Sequence, residues 1–383
     1  MTIGAAANGL TIGRRAPIVL NMYETSSAAT FMATSVCANA AECQRAGAEF
    51  ALGLAVRAII AWPRSGNCKM SQALVLISGP EIASYGFPQG HPFGPDRHGA
   101  FMAPLEQSPV AAGLIRKHAR QATRDELEYF HTPAYVERVI TLSARGSGLL
   151  DAGDTPAFPG VYEAAANVVG GTLEALAAIV AGPARRAFIP IGGLHHAARD
   201  GAAGFCVFND IGVAIEAARR HYGIRRVAYV DIDAHHGDGV FYGFEADPEV
   251  RFVDLHEDGR YLYPGTGSRS ETGRGPAAGL KLNIPLPPGA DDEVFLAAWQ
   301  EVERYLEEAE PELILLQCGA DSIAGDPITH LQLTPEAHAH AARRLGVFAD
   351  RFAKGRVLGM GGGGYNRTNL GNAWTRVVEE LAA

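Results

Sequence analysis

Two adjacent histidines, His195-His196, follow a Gly-Gly turn, and a second polar cluster, Asp231-Ile-Asp233-Ala-His235-His236-Gly-Asp238, ends an apolar run. Asp233 and His235 are two residues apart, so in extended chain their side chains share one face and can grip one ion. A lone Asp-x-His is more often a satisfied structural pair, but the histidine pair changes that balance. A third oxygen ligand would close three corners of a site and leave the fourth for water or substrate, as catalytic zinc requires. Asp326, in a Gly-Asp-Pro turn able to aim its carboxylate inward, is expected to supply it. Of His195 and His196, one ring can take a proton from metal-bound water while the other holds or delivers a proton to the leaving group. Asp231 and Asp238 flank the metal strand at positions suited to orient such rings. Plain surface histidines or a metal-ligand pair are the alternative. Gly361–Gly364 precede Tyr365 but lack the GxxxxGK[ST] form of a phosphate cradle. They permit instead a backbone path that carries the Tyr365 hydroxyl over the metal, where it can donate to a developing oxyanion. A metal on one side of a carbonyl and a phenol on the other suits amide hydrolysis.

Such residues need a frame. Apolar runs expected as strands are Ala73–Ile77, Ala187–Ile189, Arg226–Asp231, Val250–Leu255, Leu313–Gln317 and Arg356–Gly359. Ala-rich amphipathic segments lie between them: Tyr162–Val180, Asp210–His221, Asp291–Glu308, Thr334–Phe352 and Asn369–Leu381. This alternation predicts an α/β fold with a mostly parallel sheet covered on both faces. Ligands of open α/β sheets collect at the carboxyl ends of strands. Here those ends carry Gly192-Gly-Leu-His-His196, Asp231–Asp238, Asp254-Leu-His256, Cys318-Gly-Ala-Asp321 with Asp326 soon after, and Gly361–Tyr365.

Composition narrows the function classes. With 383 residues, 47% hydrophobic and 20% charged, the chain can bury a full core and is not a disordered or fibrous protein. Its net charge is −9, and no Lys/Arg block gives the electrostatic footprint of a nucleic-acid binder. Five cysteines without a CxxC spacing point to a reducing compartment, and a cytoplasmic location is expected. The run Phe50–Trp62 contains Arg57 and is too short to cross a bilayer, so no membrane association is expected.

The first 69 residues differ from the rest: they hold three of the five Cys and none of the 13 His. They read as an N-terminal extension upstream of a domain beginning at Met70, with a transit-like, acid-poor character. An N-terminal helical subdomain over Ala40 to Ile60 is the alternative.

At the chemistry-bearing residues the chain resembles the histone deacetylase superfamily, which includes bacterial acetoin-utilisation proteins and acetylpolyamine amidohydrolases. The motifs run in order from His91-Pro92 through Arg97, Glu126–Tyr135, Gly192–His196, Gly204-Phe-Cys-Val-Phe-Asn-Asp210 and Asp231–Gly239 to Tyr263-Pro-Gly-Thr-Gly267, Gln317–Asp321 and Gly361–Tyr365. The resemblance covers residues 70–383. It implies a zinc-dependent deacylase on an arginase-like three-layer fold, one zinc per chain on Asp233, His235 and Asp326, and His195 and His196 as acid/base pair, partnered by Asp231 and Asp238. Tyr365 falls on the carbonyl-polarising tyrosine. Phe205, Tyr263 and Leu333 fall on the acyl-lysine channel, with the Gly204 carbonyl offered to the substrate amide. Asp154 falls on a rim carboxylate, and Arg97 on a basic residue at the acetate exit. A potassium ion near Asp231 and Asp233 is also implied, although Asp254 replaces the usual serine beside it.

Several readings remain open at this level. The related ureohydrolase branch needs a further Asp where Gly237 stands, which favours one metal over two. Fe(II) can compete with zinc in so oxygen-rich a set. The substrate implied is an acetylated peptide or protein, with an acetylpolyamine as the alternative; a non-enzymatic acyl-ligand sensor is the reading from another class.

Overall fold

A computed structural model describes residues 73–88 and 90–383; the expectations for residues 1–69 and for Met70 lie outside the described residues. The chain forms one eight-stranded sheet in the order β2-β1-β3-β8-β7-β4-β5-β6, with every neighbouring pair parallel. The strands are β1 (Leu74–Ile77), β2 (Ile115–Lys117), β3 (Arg186–Ile189), β4 (Val227–Asp231), β5 (Val250–Glu257), β6 (Lys281–Leu286), β7 (Leu313–Gln317) and β8 (Val357–Met360). The α/β expectation holds, and the sheet is wholly parallel.

Alternate strand residues divide between two apolar cores, as a pleated strand with two covered faces requires. Val227 and Tyr229 of β4 join one core, and Ala228 and Val230 join the other. The first core is closed by helices α2 (Pro133–Arg145), α3 (Val161–Val180), α4 (Asp210–Tyr222) and α5 (Asp238–Gly243). The second is closed by α1 (Arg97–Leu105), α6 (Asp292–Ala309), α7 (Pro335–Phe352) and α8 (Arg367–Ala382). This is the three-layer arrangement.

Helix starts are written locally. The side chains of Asn209, Asp291, Thr334 and Asn366 each accept backbone N–H groups of the following first turn. Gly146 and Gly223 end α2 and α4 in the left-handed conformation. Helix α3 has the length and apolarity of a membrane span, yet 72% of its apolar window is buried in the protein. The reason is packing: a Cβ on Gly170 would stand 1.9 Å from the Arg120 carbonyl oxygen, so the helix lies directly against its neighbours.

Two strands have no counterpart in the apolar runs. Strand β2, Ile-Arg-Lys, is an exposed edge, and β6 begins with Lys281 and contains Asn283 and Pro285. The exposed strand β2 buries too little surface to demand an apolar run, whereas β6 is largely buried but holds the polar Lys281 and Asn283, which donate to backbone carbonyls.

Candidate active site

The five central strands β3, β8, β7, β4 and β5 are consecutive in the sheet, and their carboxyl ends deliver the polar segments to one place. After β3, the Gly193 and Leu194 N–H groups donate to the buried Asp210 carboxylate at 3.0 and 2.8 Å, which fixes the turn presenting the histidines. Asn209 adds a bond from Nδ2 to the Ala197 carbonyl at 2.9 Å. The His195 and His196 ring centroids lie 4.1 Å apart. His195 Nδ1 is 2.8 Å from Asp231 Oδ2, and His196 Nδ1 is 2.7 Å from Asp238 Oδ1. The pairings expected from the resemblance are the pairings seen. Burial and the neighbouring His195 hold the His196 ring below the usual imidazole range, against the pull of Asp238.

At the end of β4, Asp233, His235 and Asp321 bring ligand atoms within 4.8 Å of one another. His235 Nδ1 stands 3.1 Å from Asp233 Oδ1 and 3.2 Å from Asp321 Oδ2. Asp233 is fixed further by Gln317 Nε2 at 2.8 Å and the Gly363 N–H at 2.9 Å on Oδ2. Asp321 is the third carboxylate of this cluster, and Asp326, the ligand expected from the sequence, lies close enough that the charge of Asp233 adds to burial in raising its carboxyl. The oxygens of Asp326 also accept backbone N–H groups, as those of Asp233 do: Oδ1 from Ile328 N at 3.1 Å, and Oδ2 from Tyr365 N at 2.8 Å and Asn366 N at 3.3 Å. Asp326 thus holds the backbone of the tyrosine loop.

The donor set fits a divalent cation. Asp321 Oδ2 is buried and makes no hydrogen bond, while Oδ1 accepts from Ala234 N at 2.9 Å. Burial, then the charge of Asp233, pushes the Asp321 carboxyl up to about 7. For His235 burial favours the neutral ring, but Asp233 and Asp321 outweigh it and raise the pKa to about 10. Two buried carboxylates that draw a positive charge onto an imidazole are the environment a zinc or iron(II) ion takes.

The glycine loop packs against this set. Gly362 has φ 76°, and a Cβ on Gly363 would fall 2.1 Å from Asp321 Oδ2, so no side chain fits where the loop crosses the Asp-His-Asp cluster. Arg97, wholly buried, donates from Nε to the Gly364 carbonyl at 2.9 Å and from Nη2 to the Gly362 carbonyl at 2.6 Å. Its guanidinium lies 3.9 Å over the Phe93 ring. Tyr365 is delivered at the end of this loop; burial, then Asp321 and Asp233, raises its pKa well above the phenol value, so the hydroxyl remains a donor.

Phe205 and Tyr263 wall the approach. The Phe205 ring stands 5.9 Å from Tyr365, and Tyr263, half exposed, stands 5.2 Å from His196. Phe205 has φ 66°, a strained value for a bulky residue, and is held by Thr155 Oγ1 on its N–H and the Tyr85 hydroxyl on its carbonyl. A Cβ on Gly204 would collide with the His196 ring at 2.4 Å. Asp154 is exposed at the rim, and its carbonyl accepts from His91 Nε2. Leu333 packs in the second core at 1% exposure; the open apolar residue of its loop is Ile328, 37% exposed. A cavity of about 490 Å³ beside Tyr365 is bounded by Phe87, His91, Asp96 and Arg367.

The model of the histone deacetylase domain matches residues 91–381, and this span contains the histidine pair, the Asp-His-Asp cluster and Tyr365. The chain belongs to the histone deacetylase family. Acetoin utilization protein AcuC of Bacillus subtilis is 38% identical over 322 residues, covering 80% of this chain and 81% of that protein. The histone deacetylase-like amidohydrolase of Pseudomonas aeruginosa is 34% identical over 297 residues, covering 76% of this chain and 77% of that protein. Among solved structures, the HDA15 HD domain superposes with a TM-score of 0.75 at 28% identity, covering 82% of this chain and 89% of that one.

In this histone deacetylase family member the sequence reading missed several groups that position the site. The Tyr229 hydroxyl, two residues before Asp231 and on the same face, donates to Asp231 Oδ2. Gln317 reaches Asp233 from β7, and Asp210 and Asn209 hold the histidine turn. At Asp254, where the family resemblance implied serine, Oδ1 faces His256 Nδ1 at 2.7 Å and Oδ2 accepts from Gly237 N at 2.8 Å. Both its oxygens are engaged by protein groups.

Proposed function

We propose that this protein is a metal-dependent deacetylase that hydrolyses N-acetyl amides, with acetyl-lysine side chains of peptides or proteins as substrate and one zinc held by Asp233, His235 and Asp326. The observation that carries the reading is the meeting of the paired histidines, the buried Asp-His-Asp set and Tyr365 beneath a mouth walled by Phe205 and Tyr263. A divalent ion in such a set supplies Lewis-acid polarisation and lowers the pKa of water.

The chain's own groups do the rest. The two aromatic walls take an extended aliphatic stem, and the Gly204 carbonyl faces the amide N–H. Tyr365 donates its hydroxyl proton as a hydrogen bond to the amide oxygen as negative charge grows there. The His195–His196 pair removes a proton from the attacking water, with Asp231 and Asp238 stabilising the imidazolium character that develops. Oxygen from water bonds to the carbonyl carbon, the C–N bond breaks, and His196 returns a proton to nitrogen, giving acetate and the free amine. Arg97 lies behind Tyr365 as the cationic group on the acetate side.

The test is metal-dependent acetate release from an acetyl-lysine peptide and from N-acetylputrescine with full-length protein. Faster peptide turnover supports the reading, and faster polyamine turnover moves the substrate to the small amine. Absence of turnover on both, with zinc bound, overturns the enzymatic reading.

A further inference from the structure

Arg367 opens α8, and its place there is unfavourable for the helix: a cation at the first helical position opposes the dipole, and no carboxylate stands in that first turn. The cap is already supplied by Asn366, whose side chain accepts from Thr368 N and Asn369 N. The guanidinium turns back instead. Its Nη1 donates to the Tyr365 carbonyl at 3.1 Å and its Nη2 to the Pro92 carbonyl at 3.1 Å. Nε and Nη2 also fork onto Asp96, at 2.7 Å to Oδ2 and 2.8 Å to Oδ1. Asp96 makes the matching departure. It precedes α1 at the capping position, yet its side chain accepts no N–H of that helix and is turned to Arg367. The next residue, the buried Arg97, grips the Gly362 and Gly364 carbonyls. Two consecutive residues thus hold the tyrosine loop just before Tyr365 and, through Arg367, at the Tyr365 carbonyl.

We propose that Asp96 and Arg367 form a clasp that positions Tyr365: the carboxylate orients the guanidinium, and the guanidinium fixes the Tyr365 carbonyl, so that the phenol stands where the substrate oxygen gathers charge. Both are positioning residues that act through Tyr365. A planar group with five donors suits the role, because one side chain must meet a bidentate carboxylate and two carbonyls in fixed directions. The pair packs over Gly94, where a Cβ would stand 2.5 Å from Asp96 Oδ1 and 3.1 Å from Arg367 Nη2. Side-chain exposures of 31% for Arg367 and 64% for Asp96 make it a small contributor to global stability, as exposed ion pairs are. Its removal therefore loosens the loop without unfolding the sheet. The effect of the clasp on turnover rests on the deacetylase reading, whereas its effect on the loop is measurable without it.

The experiment compares full-length, zinc-loaded wild type, Arg367→Met, Arg367→Lys and Asp96→Asn, each also in a Tyr365→Phe background, on the faster of an acetyl-lysine peptide and N-acetylputrescine. Arg367→Met is expected to lower kcat by about 10- to 100-fold, as a small misplacement of a reacting group does, with KM and zinc content near wild type. Arg367→Lys, which retains the charge and a donor, recovers part of that loss, and Asp96→Asn, which removes only the orienting charge, loses less. In the Tyr365→Phe background, Arg367→Met should cost no more than about 2-fold further, because the hydroxyl it places is gone. Hydrogen exchange at the Tyr365 and Asn366 amides, both bonded to Asp326, should rise at least about 5-fold in Arg367→Met while the strand amides keep their protection. Asp96→Asn, read the same way, decides the matter where Arg367→Met does not accumulate as folded protein. The clasp is overturned by a full kcat loss in the Tyr365→Phe background, by a kcat in Arg367→Met within about 2-fold of wild type, or by unchanged exchange at those amides. If wild type turns over neither substrate, the deacetylase reading fails and the exchange result alone decides the clasp.

Discussion

Asp321 and His235 face each other at 3.2 Å, Oδ2 to Nδ1, and that carboxylate oxygen has no hydrogen-bond donor. The contact orients the His235 ring, while Asp326, the expected third ligand, also holds the tyrosine loop through Tyr365 N. Asp326→Asn is expected to weaken zinc binding by more than about 100-fold, beyond the loss usual for an outer group. Asp321→Asn, which changes a partner of His235, should weaken it by about 10-fold. Competition with a chromophoric chelator measures both, and the reverse ranking would put Asp321 in the ligand set in place of Asp326.

In the proposed reaction Tyr365 donates to the substrate oxygen as charge develops there, so its loss should fall on the chemical step. Tyr365→Phe keeps the ring beside Phe205 and is expected to lower kcat by about 10² to 10³ with zinc content unchanged. Near-normal kcat in a zinc-replete variant would sink the role.

The glycine loop offers a steric test. In Gly363→Ala the new methyl would stand 2.1 Å from Asp321 Oδ2, so the loop or the carboxylate must shift. A loss of about 1 to 3 kcal/mol in stability, with weakened zinc binding, is expected. Gly99→Ala is the matched control, since a Cβ there meets nothing within 4 Å inside α1. It should be neutral or stabilising by about 0.5 to 1 kcal/mol. Equal effects of the two substitutions would contradict the packing explanation.

His131 gives the fold an acid limit independent of catalysis. Its Nε2 accepts from the Asn209 N–H at 2.9 Å, and burial brings the ring down to about 3. In the unfolded chain the ring titrates near 6.5, so between these values the unfolded state binds a proton that the folded state refuses. The stabilisation is full above about pH 6.5 and is lost as pH falls, by up to about 1.4 kcal/mol per pH unit. Urea unfolding at pH 7 and 5.5 should show a larger acid loss for wild type than for His131→Gln, which keeps an acceptor. Identical losses would remove His131 as the cause.

The sequence by itself determined the architecture and most of the chemistry. Strands buried on both faces must be apolar along their length, so β1, β3, β4, β5, β7 and β8 stand out as runs, and the polar residues that end them mark the site. The pairings of His195 with Asp231 and of His196 with Asp238 followed from spacing and resemblance. Only the tertiary structure brought a further carboxylate to the cluster. Asp321, three residues after Cys318 has taken up the line of β7, reaches His235 from the neighbouring strand, a contact that no spacing in the chain announces. Strand β2 was hidden because exposure removes the apolar signal, and β6 because its buried positions include the polar Lys281 and Asn283. The partners Tyr229, Gln317 and Asp210 were hidden because each contact depends on which strand or helix lies next to which, and that order is set by burial across the whole sheet rather than by neighbours in the chain.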